Sequence, residues 1–146
     1  MAADTVGRDT GFPLPRFVSI GKSEAYLRTG PGKQYPILVV LQRRGIPVKI
    51  IDEYQRWRKV ELHDGVTGWL HKVLLTSRRT FLITAQSAPL HAEPSDTGPI
   101  IATAEKNVIA DLEECTPLWC RVNVEGYDGW VLRTVGWGEL SEPQPR

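Results

Sequence analysis

Two neighbouring stretches of the chain, WRKVEL at residues 57–62 and GVTGW at residues 65–69, decide the fold. Both return about sixty residues later, as WCRVNV at residues 119–124 and GYDGW at residues 126–130. In each copy a Trp opens a strand-like segment, a Gly-x-x-Gly turn follows, and a second Trp comes directly after the turn. One copy would indicate an ordinary hairpin, whereas two copies indicate a tandem repeat.

The segments around these motifs repeat in the same order. FVSI at 17–20 corresponds to FLIT at 81–84, AYLR at 25–28 to APLH at 88–91, and PIL at 36–38 to PII at 99–101. We therefore predict an N-terminal arm at 1–16, a first barrel at 17–79, a second barrel at 80–140 and a tail at 141–146. The alternating prolines at 13 and 15 predict an extended arm, which either leads into the first barrel or lies in a groove of a barrel.

The composition favours short strands joined by turns, with 13 Gly and 11 Pro in 146 residues. In the first unit we predict strands near 17–20, 25–29, 37–42, 47–53, 57–62 and 67–70, and one short helical turn at 73–75. A unit of about sixty residues is marginal alone. We therefore expect an all-β protein with two small, partly open β-barrels packed closely together.

These motifs resemble the bacterial SH3-type (SH3b) domain family. Its Leu-Arg-x-Gly-Pro segment stands at residues 27–31, its Trp-x-x-Val strand at 57–60 and its Gly-x-x-Gly-Trp turn at 65–69. The second unit departs from the pattern at 91–93, where it has His-Ala-Glu. The resemblance implies an SH3-like barrel in each unit and a non-catalytic binding role, often on cell-wall peptidoglycan or envelope proteins outside the cytoplasm.

Strand alternation sorts the repeated motif into two faces. Val60 and Leu62 share one face, which we assign to the core, so Trp57 lies on the opposite face with charged neighbours. That position makes Trp57 a ligand platform, a contact between the barrels, or a core residue displaced by a bulge. For Trp119 we favour packing. We expect a mainly structural role for Trp69, which also borders the predicted groove.

Aromatic residues and a cation accompany Trp57 only in the first unit. Tyr26, Arg28, Tyr35 and Tyr54 have Pro89, His91, Gly98 and Thr116 as their counterparts. We predict a ligand-binding groove with the members Tyr26, Arg28, Tyr35, Tyr54, Trp57 and Trp69. Such a groove stacks on sugar or proline faces and pairs with carboxylates. The alternative is that the tyrosines cap barrel edges and the arginine is solvated.

The chain offers few groups for catalysis or metal binding. Cys115 and Cys120 are too few for a four-ligand zinc site, and no glycine-rich phosphate loop is present. Cys120 shares the core face, so we favour a buried thiol, with a Cys115–Cys120 disulfide as the alternative in an oxidising compartment. Peptidases of the NlpC type often carry SH3b units, but their catalytic domain is missing from this sequence. We predict no enzyme activity, no cofactor and no metal.

Charge divides the chain into two unlike halves. Residues 17–79 carry twelve Lys/Arg and five Asp/Glu, a net of +7, whereas residues 80–146 carry four and ten, a net of −6. This asymmetry makes self-association through opposite charges an alternative function. It makes nucleic-acid binding an unfavoured one, because the acidic half would repel a phosphate backbone.

From the sequence we therefore predict a non-catalytic envelope binding module that recognises peptidoglycan or an envelope-protein peptide. No apolar run reaches the roughly 20 residues of a membrane-spanning helix. We expect a periplasmic or otherwise extracytoplasmic location, with a signal peptide absent from the given sequence and a cytoplasmic location left open.

Overall fold

The computed structural model describes residues 5–140 and divides the chain into two compact units between Arg78 and Arg79. The first unit contains β1 (Arg16–Ile20), β2 (Ala25–Arg28), β3 (Ile37–Leu41), β4 (Pro47–Tyr54), β5 (Trp57–Glu61), β6 (Thr67–His71) and β7 (Leu75–Thr76). The second contains β8 (Thr80–Ile83), β9 (Ser87–His91), β10 (Ile100–Glu105), β11 (Ile109–Cys115), β12 (Trp119–Val124), β13 (Tyr127–Leu132) and β14 (Gly136–Trp137). The predicted tail at 141–146 and the first four residues of the predicted arm lie outside the described residues.

The two units share one topology. The sheet order is β3-β2-β6-β5-β4-β1-β7 in the first unit and β10-β9-β13-β12-β11-β8-β14 in the second, which is the same order seven strands later. A 3-10 helix follows β6 at Lys72–Leu74, and another follows β13 at Arg133–Val135. The prediction of an all-β tandem of SH3-like barrels is confirmed.

Each unit has its own apolar core, and strand alternation supplies it. In β5 Val60 is fully buried, while Trp57, Lys59 and Glu61 are half-buried on the other face. The first core consists of Leu14, Ile20, Ala25, Leu27, Leu41, Val48, Ile50, Val60, Leu62 and Leu70. The second consists of Phe81, Ile83, Ala88, Leu90, Ala104, Ala110, Cys120, Val122 and Val131.

The segment at residues 5–15 folds back on itself, where the prolines predict an extended arm. Val6 pairs with Pro13, Gly7 N donates to Phe12 O at 2.8 Å, and Gly11 reverses the chain at a φ of 73°. Leu14 then enters the core of the first unit. We call this segment the N-terminal loop.

The N-terminal loop is held by Glu53 of β4, whose side chain is fully buried. Its Oε1 accepts from the backbone N–H groups of Asp9 at 3.0 Å and Thr10 at 2.9 Å. Its Oε2 accepts from Thr10 Oγ1 at 2.6 Å and from Arg16 Nη1 at 3.0 Å. A buried carboxylate is stable only when it is paired and hydrogen-bonded in this way.

Cys115 and Cys120 form a disulfide, so the buried free thiol that the sequence analysis favours is wrong and the alternative holds. The two residues are direct cross-strand partners at the end of the β11–β12 hairpin, with their Cα atoms 4.1 Å apart. Neither cysteine is free.

Candidate ligand-binding cleft

The outer face of β2, β5 and β6 brings the repeated Trp strand together with the Leu-Arg segment. Trp57 lies opposite His71 in the β5–β6 pair, and Lys59 lies opposite Trp69. Trp69 in turn lies opposite Arg28 of β2. Directly opposite residues in an antiparallel sheet place their side chains on the same face. One face of the first unit therefore presents the indole, imidazole and guanidinium groups side by side.

An open cleft of about 290 Å³ lies on this face. We call it the first-unit cleft, and its lining residues are Glu24, Ala25, Tyr26, Arg28, Lys33, Trp57, His71, Val73 and Leu74. Its surface is mainly apolar with a few charged groups at the border, which is typical of small-ligand and peptide sites.

Trp57 is half-buried and its position is fixed by His71. The two ring centroids are 5.2 Å apart with an interplanar angle of 75°, an edge-to-face contact. His71 Nδ1 accepts a hydrogen bond from the backbone N–H of Val73 at 3.1 Å, at the start of the 3-10 helix. Since Nδ1 is an acceptor, the proton of the neutral ring is on Nε2.

The surroundings of His71 favour that neutral form. Burial lowers the pKa of His71 below its ordinary value, and the positive charges of Arg56, Lys33, Lys72 and, last, Arg58 lower it further. Of the charged residues that line the cleft, Arg28 and Lys33 are positive and only Glu24 is negative, so the lining carries a net positive charge and suits a ligand with a negative charge.

Tyr26 and Arg28 form the side of the cleft contributed by β2. The guanidinium carbon of Arg28 lies 5.9 Å from the centroid of the Tyr26 ring, a cation–π distance. Arg28 Nη1 also donates to the backbone carbonyls of Lys33 at 3.2 Å and Tyr35 at 3.0 Å. These bonds tie the guanidinium to the β2–β3 loop, and Tyr26 itself is 40% exposed.

The structure brings three of the six predicted groove residues into the cleft, namely Tyr26, Arg28 and Trp57. The other three do not line the cleft, and each instead pairs with or contacts a residue that does. Tyr54 pairs directly with Trp57 across the β4–β5 hairpin and is exposed. Trp69 is half-buried between Arg28 and Lys59.

Tyr35 contacts the lining residue Arg28 through its backbone carbonyl. Its ring packs over Gly30, where an added Cβ would lie 2.6 Å from the ring atoms, and it contributes its carbonyl to Arg28. Because Gly30 of the Leu-Arg-x-Gly-Pro segment has no side chain, it leaves the space that the Tyr35 ring occupies.

His71, Lys33 and Glu24 line the cleft but were not predicted from the sequence. A signal for His71 was present, because His71 shares a strand face with Trp69 and the hairpin places it opposite Trp57. Lys33 and Glu24 lie outside the strands, before β3 and before β2, where alternation makes no prediction.

The equivalent position in the second unit is closed. Trp119 is only 9% exposed and contacts His91 edge-to-face, with ring centroids 5.5 Å apart. His91 replaces Arg28 and is itself 9% exposed. Its Nδ1 donates to Gly98 O at 3.0 Å, the counterpart of the bond from Arg28 to Tyr35 O. The packing role favoured for Trp119 agrees with this burial.

Within residues 5–140 no group of three or more His, Cys, Asp or Glu side chains is placed to hold a metal ion. In the same part of the chain no helix is long and apolar enough to cross a membrane.

Comparison with known proteins identifies the family. The family model for the bacterial SH3 domain matches the chain twice, at residues 21–76 and 84–138. Two matches in tandem cover most of the sequence, and they coincide with the two units of the fold. The chain belongs to the bacterial SH3 domain family, which is a family of binding domains.

Solved structures similar to this chain include NlpC1 and NlpC2 from Trichomonas vaginalis. NlpC1 is 16% identical, with a TM-score of 0.40 over 92% of this chain and 49% of its own. NlpC2 is 15% identical, with a TM-score of 0.39 over 86% of this chain and 48% of its own.

An NlpC/P60 family protein from Bacillus cereus is 18% identical, with a TM-score of 0.38 over 83% of this chain and 55% of its own. The chain thus spans about half the length of these structures. A comparison with curated protein sequences gives no significant match.

Proposed function

We propose that this protein is a non-catalytic binding module of the bacterial envelope, and that its first-unit cleft recognises peptidoglycan or a peptide of an envelope protein. The observation that carries the proposal is the contrast between the two units. Trp57 is held at the wall of an open, electropositive cleft, whereas Trp119 is covered by His91. Membership of a family of binding domains supports a binding role.

The chemistry of the cleft fits ligands with a flat apolar face and a carboxylate. The exposed side chain of Tyr26 and the half-buried indole of Trp57 offer surfaces for the apolar face of a sugar or a proline. Arg28 and Lys33 place positive charge beside those rings, where a carboxylate of a wall peptide or envelope protein would pair with it. Glu24, at the same cleft, would accept a hydrogen bond from a hydroxyl, amide or amine.

The disulfide supports a location outside the cytoplasm. Disulfides persist in oxidising compartments such as the periplasm and are rare in the cytosol. The Cys115–Cys120 bond closes a tight hairpin of the second unit and would be stable in the envelope.

Trp57→Ala is expected to remove most of the affinity for purified, insoluble peptidoglycan in a sedimentation assay. Truncating a central aromatic anchor costs about 2 kcal/mol or more, which corresponds to a loss of about thirtyfold in affinity. Wild type should sediment with the wall material and the variant should stay in the supernatant.

The matched control is Leu118→Ala, which truncates a side chain of the second unit that is 68% exposed. This variant should sediment like the wild type. Backbone amide spectra of both variants verify the fold. If wild type stays in the supernatant, the peptidoglycan proposal fails, and if Trp57→Ala unfolds the chain, Trp57 is structural and Arg28→Gln takes its place in the assay.

The unlike charges of the two halves favour a second candidate function, assembly by self-association. Opposite net charges of +7 and −6 attract one another between copies, and salt screens that attraction. Size-exclusion chromatography at rising salt separates the two functions. Oligomers that dissociate with salt support assembly, whereas a monomer at every salt concentration rejects it.

Nucleic-acid binding by the basic half would instead appear as a salt-sensitive gel shift.

A further inference from the structure

The second unit contains a groove of about 260 Å³ that has no part in the first-unit cleft. Its floor is formed by small apolar side chains of β10, Ala102 and Ala104, together with Val108 and Val124. We call it the alanine groove. It lies at the turn end of the β12–β13 hairpin, which carries Glu125, whereas Trp119 is at the open end of the same hairpin.

The groove exists because the second unit has smaller residues where the first unit has larger ones. Ala102 pairs with Leu90 as Val39 pairs with Leu27, and Ala104 pairs with Ala88 as Leu41 pairs with Ala25. These alignments make Ala102 the counterpart of Val39, and Ala104 the counterpart of Leu41. Smaller side chains at close-packed positions leave space.

Two more floor positions show the same trend. Repeat alignment makes Val108 the counterpart of Ile46, and Val124 the counterpart of Leu62. Ile46 and Leu62 both pack with the first core, as Val108 and Val124 pack with the second. Four smaller side chains in the second unit therefore account for the space.

The rim of the groove is acidic and aromatic. Glu105 and Glu125 line it and are exposed, and Tyr127 lines it with 57% of its surface exposed. Lys106, the residue after Glu105, is the cation that stands next to the rim in the chain. The groove belongs to the half of the protein that carries a net charge of −6.

We propose that the alanine groove binds the side chain of a lysine or arginine from a basic protein segment. Such a side chain has an aliphatic stem, which suits the alanine and valine floor, and a cationic end, which suits Glu105 and Glu125. The ring of Tyr127 adds a cation–π surface at the entrance. An anionic ligand would be repelled at the same rim.

This site goes beyond the proposed function, since it lies in the second unit and uses no residue of the first-unit cleft. It gives the second unit a partner of its own, chosen by positive charge, while the first unit selects a negatively charged ligand. The two sites fail or succeed independently.

The test is a titration of the full ¹⁵N-labelled chain with the peptide acetyl-Ala-Lys-Ala-amide, followed by amide chemical shifts. Saturable shifts are expected at Thr103, Val108 and Tyr127. A matched peptide with norleucine in place of lysine keeps the stem but removes the charge. It should bind several times more weakly.

Four variants of the chain complete the test. Ala102→Val installs the residue of the first unit and should fill the groove, lowering affinity about tenfold or more. Glu105→Gln and Glu125→Gln should each weaken lysine-peptide binding about threefold, the size of an exposed ion pair. Thr67→Ala, at an exposed position of the first unit, should leave binding of the lysine peptide unchanged.

Each contrary result overturns the proposal. These results are the absence of saturable shifts, shifts confined to other acidic surfaces such as that around Asp128, equal binding of the norleucine peptide, or full binding by Ala102→Val. None of them bears on peptidoglycan sedimentation, so failure here is distinct from failure of the proposed function.

Discussion

Glu53→Gln is expected to lower the free energy of unfolding at neutral pH by about 3 kcal/mol. The carboxylate is fully buried and bonded to the N-terminal loop through Asp9 and Thr10, and to the side chain of Arg16. The glutamine keeps the size but removes the charge, so the buried guanidinium of Arg58, 3.9 Å away, and that of Arg16 lose their counter-charge. Removing one member of a buried ion pair typically costs about 3–5 kcal/mol.

The lowered pKa of Glu53 corresponds to a stabilisation of similar size. Burial by itself raises the pKa, but the hydrogen bonds from the hydroxyl and backbone of Thr10, the backbone of Asp9 and the side chain of Arg16 outweigh it. The result is a pKa of about 2, below the ordinary 4.5. A difference of this size between the folded and unfolded chain corresponds to about 3 kcal/mol at neutral pH.

The same difference in pKa between the folded and unfolded chain determines how stability changes with pH. Because the folded-state pKa is depressed, the stabilisation is complete above the unfolded pKa of about 4.5 and declines as the pH falls towards 2. Urea denaturation of wild type and Glu53→Gln should show a wide gap at pH 7 that narrows below about pH 4.5.

The control for this prediction is Glu61→Gln. Glu61 is partly exposed, and its ion pair with Lys49 is long at 3.7 Å, so its loss should cost less than about 1 kcal/mol. A Glu53→Gln variant as stable as Glu61→Gln, or a gap that widens in acid, would contradict the role assigned to the buried carboxylate.

Gly68→Ala is expected to destabilise the first unit by about 1–3 kcal/mol, the usual cost of overpacking. A Cβ at this position would lie 2.6 Å from Leu27 Cγ and 2.9 Å from the backbone oxygen of Arg28. Leu27 is fully buried, and the Arg28 oxygen belongs to a paired strand, so neither moves aside without shifting β2. The change would also disturb Arg28 in the cleft.

The second unit provides a parallel case in Gly129. There an added Cβ would lie 2.9 Å from Leu90 Cβ and 3.2 Å from His91 O, so Gly129→Ala should also destabilise. Thr67→Ala, one residue before Gly68 at an exposed position, is the control and should change stability by less than about 0.5 kcal/mol. Denaturation midpoints in urea measure all three variants, and a Gly68→Ala midpoint equal to that of Thr67→Ala would refute the close-approach argument.

Those two glycines explain why the Gly-x-x-Gly-Trp motif allowed the fold to be predicted from the sequence. The second glycine lets β6 pass over β2, and β13 over β9, while the Trp after it is carried to the outer face. Because these demands are local, the approximate bounds of the predicted strands followed from the repeat and from period-2 alternation. The predicted strand at 57–62, for example, is observed at Trp57–Glu61.

Contacts between distant parts of the sequence were beyond such reasoning. Glu53 is one acidic residue among many until the N-terminal loop, 43 and 44 residues away in sequence, brings Thr10 and Asp9 to it. The disulfide was only an alternative, because pairing register decides whether Cys115 faces Cys120. His71 enters the cleft through its strand partner Trp57, which periodicity within one strand does not show.

The central claim is that an open site exists beside Trp57 and a closed one beside Trp119. The most direct measurement is the pair of indole N–H resonances of these residues during titration with soluble peptidoglycan fragments. We expect a saturable shift at Trp57, with accompanying shifts at His71 and Arg28, and no shift at Trp119. A saturable shift at Trp119, or fragments that bind without moving Trp57, would contradict it.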